Sequence, residues 1–294
     1  MTPAIHIGPE PAEHLVKAVE DGGGRPVPLD EAEAVVWNGG PDELPDLPET
    51  VRWVQLPSAG VEPWLERVAA TPHVLFTSAA GAYATQVAEH ALGLLLAGVR
   101  GLAYYARTKT WDPRSDRVLE GSTVAIVGAG GIGRALMAML EPHDVEIVAV
   151  TRSGRDGTLP ADRLPEVWAN ADHFVIAAPA TTDTKHLVGT DELAAMKPHS
   201  WIVNVARGSL IDTDALVAAL RARKIGGAAL DVTDPEPLPD GHPLWDEPRA
   251  LITPHVANPL CAMNRDLAKR VQENVRRFAA GEELLAPVRP DRGY

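Results

Sequence analysis

The chain has 294 residues, 45% of them hydrophobic and 23% charged, which is the size and composition of an ordinary globular protein built from two domains. Its formal net charge of −13 argues against a nucleic-acid partner, because no basic face is expected to neutralise phosphates. Cys261 is the only cysteine, so no intrachain disulfide can form, and a reducing cytoplasm is the simplest compartment.

The opening residues, MTPAIHIGPEPAEH, lack a basic start followed by an apolar run, so no signal peptide is expected. Residues 4–7 read as a strand, 12–19 as a helix stopped by Gly22-Gly23-Gly24, and 34–37 as a strand. A Pro/Asp/Glu loop over 41–49 leads to strand 52–56, helix 62–70 and strand 74–77. This alternation predicts parallel strands joined by helical crossovers. One helical stretch is expected over 84–107, with apolar positions on more than one face. Its most apolar part, 91–99, is too short to span a bilayer, and no membrane partner is expected. The polar linker 109–117 is the candidate crossing into the next domain. Beyond it, strands are expected over 123–127, 146–150, 174–177, 201–205, 227–230 and 251–253. A helix is expected over 214–223 and a final amphipathic one over 264–280.

Strand TVAIV runs directly into Gly128-Ala129-Gly130-Gly131-Ile132-Gly133 and then into RALMAML. This is G-x-G-x-x-G in its required strand–turn–helix setting. Gly128 permits the tight turn, Gly130 lets the backbone approach a pyrophosphate, and Gly133 lets the helix pack closely on the strand. The helix N-terminus offers free N–H groups to the anion. The ordinary alternative is a glycine-rich turn in an unrelated α/β fold. The next strand, EIVAV, ends in Thr151-Arg152-Ser153-Gly154-Arg155, where an NAD site carries an acid for the ribose 2′-hydroxyl. No acid appears before Asp156. Arg152 and Ser153 suit a 2′-phosphate, with no carboxylate to repel it. NADP is therefore expected over NAD, unless this is a solvated loop that happens to carry arginines.

In open α/β sheets, ligands bind beyond the carboxyl ends of the strands. Strand WIVNV ends at Ala206-Arg207, and Val205 and Ala206 are counted with the cofactor-binding residues. The strand AAL ends at Asp231, with Glu236 just beyond, and LIT ends at Pro254-His255. Arg207 can grip a carboxylate bidentately and polarise the neighbouring carbonyl. His255 can give a proton to the carbonyl oxygen, and Glu236 can hold the imidazole and raise its basicity. Each residue also has a plain structural reading: a strand cap, a loop charge between prolines, and a buried, satisfied histidine.

The segments VAEHALGLLLAGVR, GAGGIGRAL, VNVARGSLIDTDAL, AALDVTDPEPLPDGHPLW and ITPHVAN resemble the D-isomer-specific 2-hydroxyacid dehydrogenases in position and order, from about Arg52 onward. The likeness is to the glyoxylate/hydroxypyruvate reductase kind. The resemblance implies Arg207 as substrate-binding arginine, His255 as acid/base and Glu236 as its partner. It implies that Ser58, Ala59 and Gly60 hold the substrate carboxylate and that Ala178, Pro179 and Thr184 pass the cofactor. It places Asp231 near the nicotinamide and implies a homodimer. Thr233 stands where an aromatic residue is common, and Asn258 where glycine is common. His90, on the helical stretch, is read as structural, and no metal is expected.

The expected fold is α/β, with two Rossmann-like or flavodoxin-like domains of parallel sheet. A substrate domain, 1–98 plus 265–294, carries an inserted dinucleotide-binding domain, 99–264. The expected activity is reduction of a small 2-keto acid such as glyoxylate or hydroxypyruvate. The rivals are a dehydrogenase of formate or phosphite and a non-catalytic dinucleotide sensor.

Overall fold

Short runs rich in Val, Ile and Ala recur through the chain, too brief for helices and too apolar for a solvent-facing strand. Such runs belong in parallel sheets covered on both faces. The computed structural model, which describes residues 2–113 and 117–290, places them in two sheets whose paired strands are all parallel. The described residues up to Tyr83, with those from Pro259 onward, make one unit, and Ala84–Asn258 makes the other.

The first unit contains β1 (Ala4–Gly8), α1 (Glu13–Asp21), β2 (Arg25–Pro26), β3 (Ala34–Trp37), β4 (Trp53–Gln55), α2 (Leu65–Ala70) and β5 (Leu75–Thr77). The sheet order β2-β1-β3-β4-β5 is the flavodoxin-like order. Strand β2 had no sequence signal. It is two residues long and contains a proline, which a sheet tolerates only at its edge. The expected helix over 62–70 opens as a 3-10 turn, Glu62–Trp64, before α2.

A buried polar chain ties this sheet to the C-terminal helix, Leu260–Ala280. Trp53 Nε1 donates to Thr77 Oγ1 (2.8 Å), which donates to Gln55 Oε1 (3.0 Å). Asn274 Nδ2 donates to the same Gln55 oxygen (2.8 Å), and Asn274 Oδ1 accepts from the Leu285 amide (2.8 Å). Each buried polar group is thereby paired, which removes the penalty of burying it. The helix ends at Gly281, in the left-handed region at φ 69. The chain then runs antiparallel to β5: Ser78 N donates to Ala286 O (2.9 Å) and Val288 N to Phe76 O (2.8 Å). The ELLAPV run therefore covers an otherwise open sheet edge.

The second unit contains α3 (Ala84–Val99), α4 (Leu102–Arg107), β6 (Thr123–Val127), α5 (Gly131–Leu140), β7 (Glu146–Thr151), β8 (Leu159–Pro160), α6 (Leu164–Asn170) and β9 (His173–Ile176). It continues through α7 (Thr190–Ala195), β10 (Trp201–Asn204), α8 (Thr213–Arg221), β11 (Gly227–Leu230), α9 (Pro243–Asp246) and β12 (Ala250–Ile252). The single helix expected over 84–107 is two helices, because Gly101 takes φ 62 and breaks the run. Helix α3 goes with this unit, where its buried face (Val87, Ala88, Ala91, Leu94, Leu95) packs along α5. The chain therefore divides after Tyr83 and after Asn258, earlier than the expected crossings at 98 and 264. Residues 114–116 of the expected linker lie outside the described residues. The sheet order is β12-β11-β10-β9-β6-β7-β8. Chain order reverses at β6, which lies between β9 and β7, and this switch point is where open α/β sheets bind ligands.

Candidate active site

The glycine turn leaves β6 at the switch point. Gly128 takes φ 107, and a Cβ there would stand 2.5 Å from the backbone of Ala177 and Ala178, so no side chain is tolerated. A Cβ at Gly133 would overlap the Gly128 carbonyl, which is why α5 can start so close to β6. At Gly130 a Cβ would meet nothing within 4 Å. That open space faces the N-terminus of α5, whose first amides, from Gly131 through Gly133, have no partners within the helix. The turn thus fits a pyrophosphate by shape and by donor chemistry. Ala178 and Pro179 follow β9 and pass this turn. The Thr184 hydroxyl serves its own bend, donating to Pro179 O (2.8 Å) and accepting from Thr181 N (2.8 Å).

Arg152 and Ser153 are exposed beyond β7. The expectation that no carboxylate approaches Arg152 needs correction. Asp183, from the loop after β9, pairs with it at 3.1 Å, with side chains 81% and 70% exposed. Asp156 is turned away and pairs with Arg134 at 3.2 Å. Proximity in space brought an acid that lies far off in sequence.

Val205 and Ala206 are buried at the end of β10. The turn carrying Arg207 is braced by Asn204, whose Oδ1 accepts from Ala206 N (3.0 Å) and whose Nδ2 donates to Arg207 O (2.8 Å). Arg207 Nη1 donates to Ala206 O (2.7 Å). At Gly208 a Cβ would overlap the Thr233 carbonyl, so the Arg207 turn and the loop toward Glu236 lie backbone to backbone. Glu236 Oε1 meets His255 Nδ1 at 2.6 Å, and the two side chains are 40% and 53% exposed. A carboxylate accepts, so Nδ1 carries its proton toward Glu236 and Nε2 is the nitrogen left to face a substrate. Three strand ends therefore deliver Arg207, Glu236 and His255 to one edge, the edge that carries the glycine turn.

Asp231, at the end of β11, turns inward, its side chain only 1% exposed. Burial alone would raise its pKa. Hydrogen bonds from His90, Thr253 and the amides of Val256 and Ala257 outweigh burial and hold it down at about 2. The local sequence does not mark Asn204 and Thr253 as site residues. The only signal was a polar residue standing inside, or closing, an otherwise apolar strand run.

In the first unit the Ser58–Gly60 loop is pinned through its carbonyls. Pro57 O accepts from Tyr83 Oη (2.7 Å), Ser58 O from Ala79 N (2.8 Å) and Gly60 O from Ser58 Oγ (2.6 Å). Fixing the carbonyls fixes the peptide planes and so the direction of their amides. Burial pushes the Tyr83 hydroxyl up to about 12, which keeps it protonated as the donor. Among the described residues no group of three His, Cys, Asp or Glu side chains is placed to hold a metal, and no helix is long and apolar enough to cross a membrane.

Comparison with known proteins places the chain in a family. The family model described as D-isomer specific 2-hydroxyacid dehydrogenase, NAD binding domain, matches residues 92–257. An uncharacterized protein in the proB 3′ region of Corynebacterium melassecola is 42% identical, over 94% of this chain and 95% of that one. The solved D-isomer specific 2-hydroxyacid dehydrogenase from Xanthobacter autotrophicus Py2, in complex with NADPH and MES, superposes with a TM-score of 0.84 at 26% identity, covering 100% of both chains. The NADPH-dependent glyoxylate/hydroxypyruvate reductase from Sinorhizobium meliloti, in complex with NADP and malonate, gives 0.76 at 26% identity, covering 99% of this chain and 98% of that one. The chain belongs to the D-isomer specific 2-hydroxyacid dehydrogenase family. It is an oxidoreductase acting on CH–OH groups, with a domain for a nicotinamide dinucleotide.

Proposed function

We propose that this protein reduces a small 2-keto acid, of the glyoxylate or hydroxypyruvate kind, to its D-2-hydroxy acid with NADPH. The observation that carries the proposal is the contact between His255 Nδ1 and Glu236 Oε1 at 2.6 Å, on the same sheet edge as the glycine turn. Gly128–Gly133 would hold the pyrophosphate, Arg152 and Ser153 the ribose 2′-phosphate, and Ala178, Pro179, Thr184, Val205 and Ala206 the flanks of the nucleotide. When bound, the cofactor supplies the reducing equivalents to the carbonyl carbon.

The chain's own residues do the rest. Arg207 grips the substrate carboxylate and draws electron density toward the carbonyl oxygen. The amides of Ser58, Ala59 and Gly60, the first two fixed through the Pro57 and Ser58 carbonyls, are assigned to the substrate on the first unit. His255 gives the proton on Nε2 to the carbonyl oxygen, and Glu236 holds the ring in place through Nδ1. We assign the first unit to the substrate and the second to the cofactor. A homodimer in a reducing compartment is part of the same proposal. The apolar side chains exposed around α4 support the dimer, with Leu102 at 53%, Val118 at 58% and Trp111 at 100%.

The test is NADPH and NADH oxidation against a panel of 2-keto acids, and NADP+ and NAD+ reduction by formate and phosphite, with light scattering for the oligomeric state. Turnover of glyoxylate or hydroxypyruvate is expected. Activity confined to formate or phosphite would replace the substrate. NADPH binding with no turnover on any acid would make the chain a dinucleotide sensor.

A further inference from the structure

The backbone of His255 lies in the left-handed region, at φ 52. That conformation is strained for a non-glycine residue and persists only where its surroundings hold it. One carboxylate holds it here. Asp231 Oδ1 accepts from the Val256 amide at 3.0 Å, and Oδ2 from the Ala257 amide at 3.1 Å. These are the two peptide groups that follow His255. The Asp231 carbonyl accepts from the His255 amide itself at 2.8 Å. Thr253, two residues before His255, donates its hydroxyl proton to Asp231 Oδ1 at 2.6 Å. The loop over 253–257 is thus wound around a single side chain. That side chain is 1% exposed and turned into the loop.

His90, on α3, closes the arrangement from behind. Its Nε2 lies 3.0 Å from Thr253 Oγ1 and 3.3 Å from Asp231 Oδ1. The single proton of Thr253 is already committed to Asp231. Toward His90 both oxygens are therefore acceptors, and Nε2 must carry a proton and donate. Without that donor, two oxygens in a largely closed setting lose a partner, and the loop they organise loosens.

We propose that His90 and Asp231 are positioning residues for the reaction. By donating from Nε2 to Thr253 and Asp231, His90 clamps the carboxylate that winds the 253–257 loop, and so fixes the His255 imidazole against Glu236. This rests on the reading of His255 as the acid/base. It gives three segments far apart in sequence, VAEH, ALDV and ITPHVAN, one shared task.

The test uses the 294-residue protein with four variants of the clamp and, as a fifth, His255→Ala. His90→Phe keeps the bulk and removes the donor, and His90→Gln restores an amide donor. Thr253→Val is isosteric and lacks the hydroxyl, and His90→Phe is combined with Thr253→Val in the fourth. The readouts are kcat, KM for the keto acid, the NADPH Kd and the melting temperature. A misplacement of the acid by about 1 Å is worth on the order of 10²-fold in rate. His90→Phe and Thr253→Val should each lower kcat by about 10- to 100-fold while NADPH still binds. His90→Gln should recover most of that rate. The double variant should fall little below the worse single one, because both act through one route. A lower melting temperature with kcat unchanged would make His90 a purely structural residue and overturn the proposal. So would equal losses in His90→Gln and His90→Phe. If His90→Phe does not fold, Thr253→Val decides, since it breaks the same clamp from the other side. His255→Ala separates the two levels. If that variant keeps turnover, the acid/base reading itself fails. If it is inactive and His90→Phe is as fast as wild type, only the positioning role fails.

Discussion

Beyond the carboxyl ends of the strands, His255 and Glu236 meet at 2.6 Å with 53% and 40% of their side chains exposed, whereas before the amino ends His199 and Asp172 meet at 2.9 Å with 25% and 19% exposed. By distance alone the pairs are alike. Their carboxylates are not. Asp172 also takes Lys197 Nζ at 2.8 Å and the Thr123 amide at 2.9 Å. Burial raises its pKa, but those donors together with His199 hold it well below the usual carboxylate range. Its charge is divided among three partners that lace the starts of β6, β9 and β10 together. Among the described residues Glu236 has, besides His255, only the long 3.4 Å contact from the Thr233 amide. Its charge is concentrated on one imidazole. A histidine–carboxylate contact becomes a proton-handling device where the acid is not already neutralised and the far ring nitrogen is open. Elsewhere it is a clamp.

The comparison breaks most visibly in turnover. His255→Ala should lower kcat by about 10²–10⁴-fold, the usual worth of a positioned proton donor, while NADPH still binds by fluorescence titration. His199→Asn should leave kcat unchanged. Near-normal rates in the first variant, or a comparable loss in the second, would erase the distinction between the two edges. Next in size is Arg207→Lys, which keeps the charge on the carboxyl edge but loses the planar fork. A drop of about 10²-fold in kcat/KM is expected, and wild-type efficiency would show that the fork is not used.

On the amino edge the expected effect is on stability. Asp172→Ala strands several donors to a charged acceptor, each such bond being worth roughly 1.5–3 kcal/mol. Urea unfolding should show a loss near the lower end of that range, because the site is partly open to water, with turnover intact. Arg152 and Asp183 sharpen the comparison on the carboxyl edge. They are exposed and loosely held, so a 2′-phosphate can take the place of Asp183. NADPH should be favoured over NADH by about tenfold in kcat/KM. Arg152→Ala should erase that preference by weakening NADPH alone, and equal use of both cofactors by the wild type would show that the arginine serves only Asp183.

The smallest effect concerns His173, buried beside the Asp172 clamp, its Nδ1 accepting from the Trp201 amide at 3.2 Å. Burial, with added repulsion from His199, holds the His173 pKa down from 6.5 to about 4. In that window the unfolded chain binds the extra proton, so stability is fully present above pH 6.5 and is lost as the pH falls toward 4. Between pH 6.5 and about 5.5 the loss should be roughly 1 kcal/mol. His173→Asn keeps an acceptor for Trp201 and should flatten the melting temperature across this range. An unchanged slope would place the titrating group elsewhere.

Much of this was written in the sequence. The glycine turn was legible because its demands are local. At Gly128 the backbone needs φ 107, and Gly128 and Gly133 must tolerate contacts that no Cβ can make, so residue identity and chemistry coincide. The parallel strands were legible for a similar reason, since apolar runs of four or five residues have few other homes. The shared edge of Arg207, Glu236 and His255 was legible from their strand-end positions, through the rule that parallel sheets present their ligands at one edge, and from the motifs that resemble the family. Tertiary structure decided what lies opposite each of them. It put Asp183 on Arg152, backed Gly208 against Thr233, split the long helix at Gly101, paired β2 and β8 as two-residue edge strands, and set His90 behind Thr253 and Asp231. The contacts of Asp183, Thr233 and His90 join residues from about 25 to more than 160 positions apart. They depend on register and side-chain direction, which are set by the packing of whole elements and leave no mark on the local sequence.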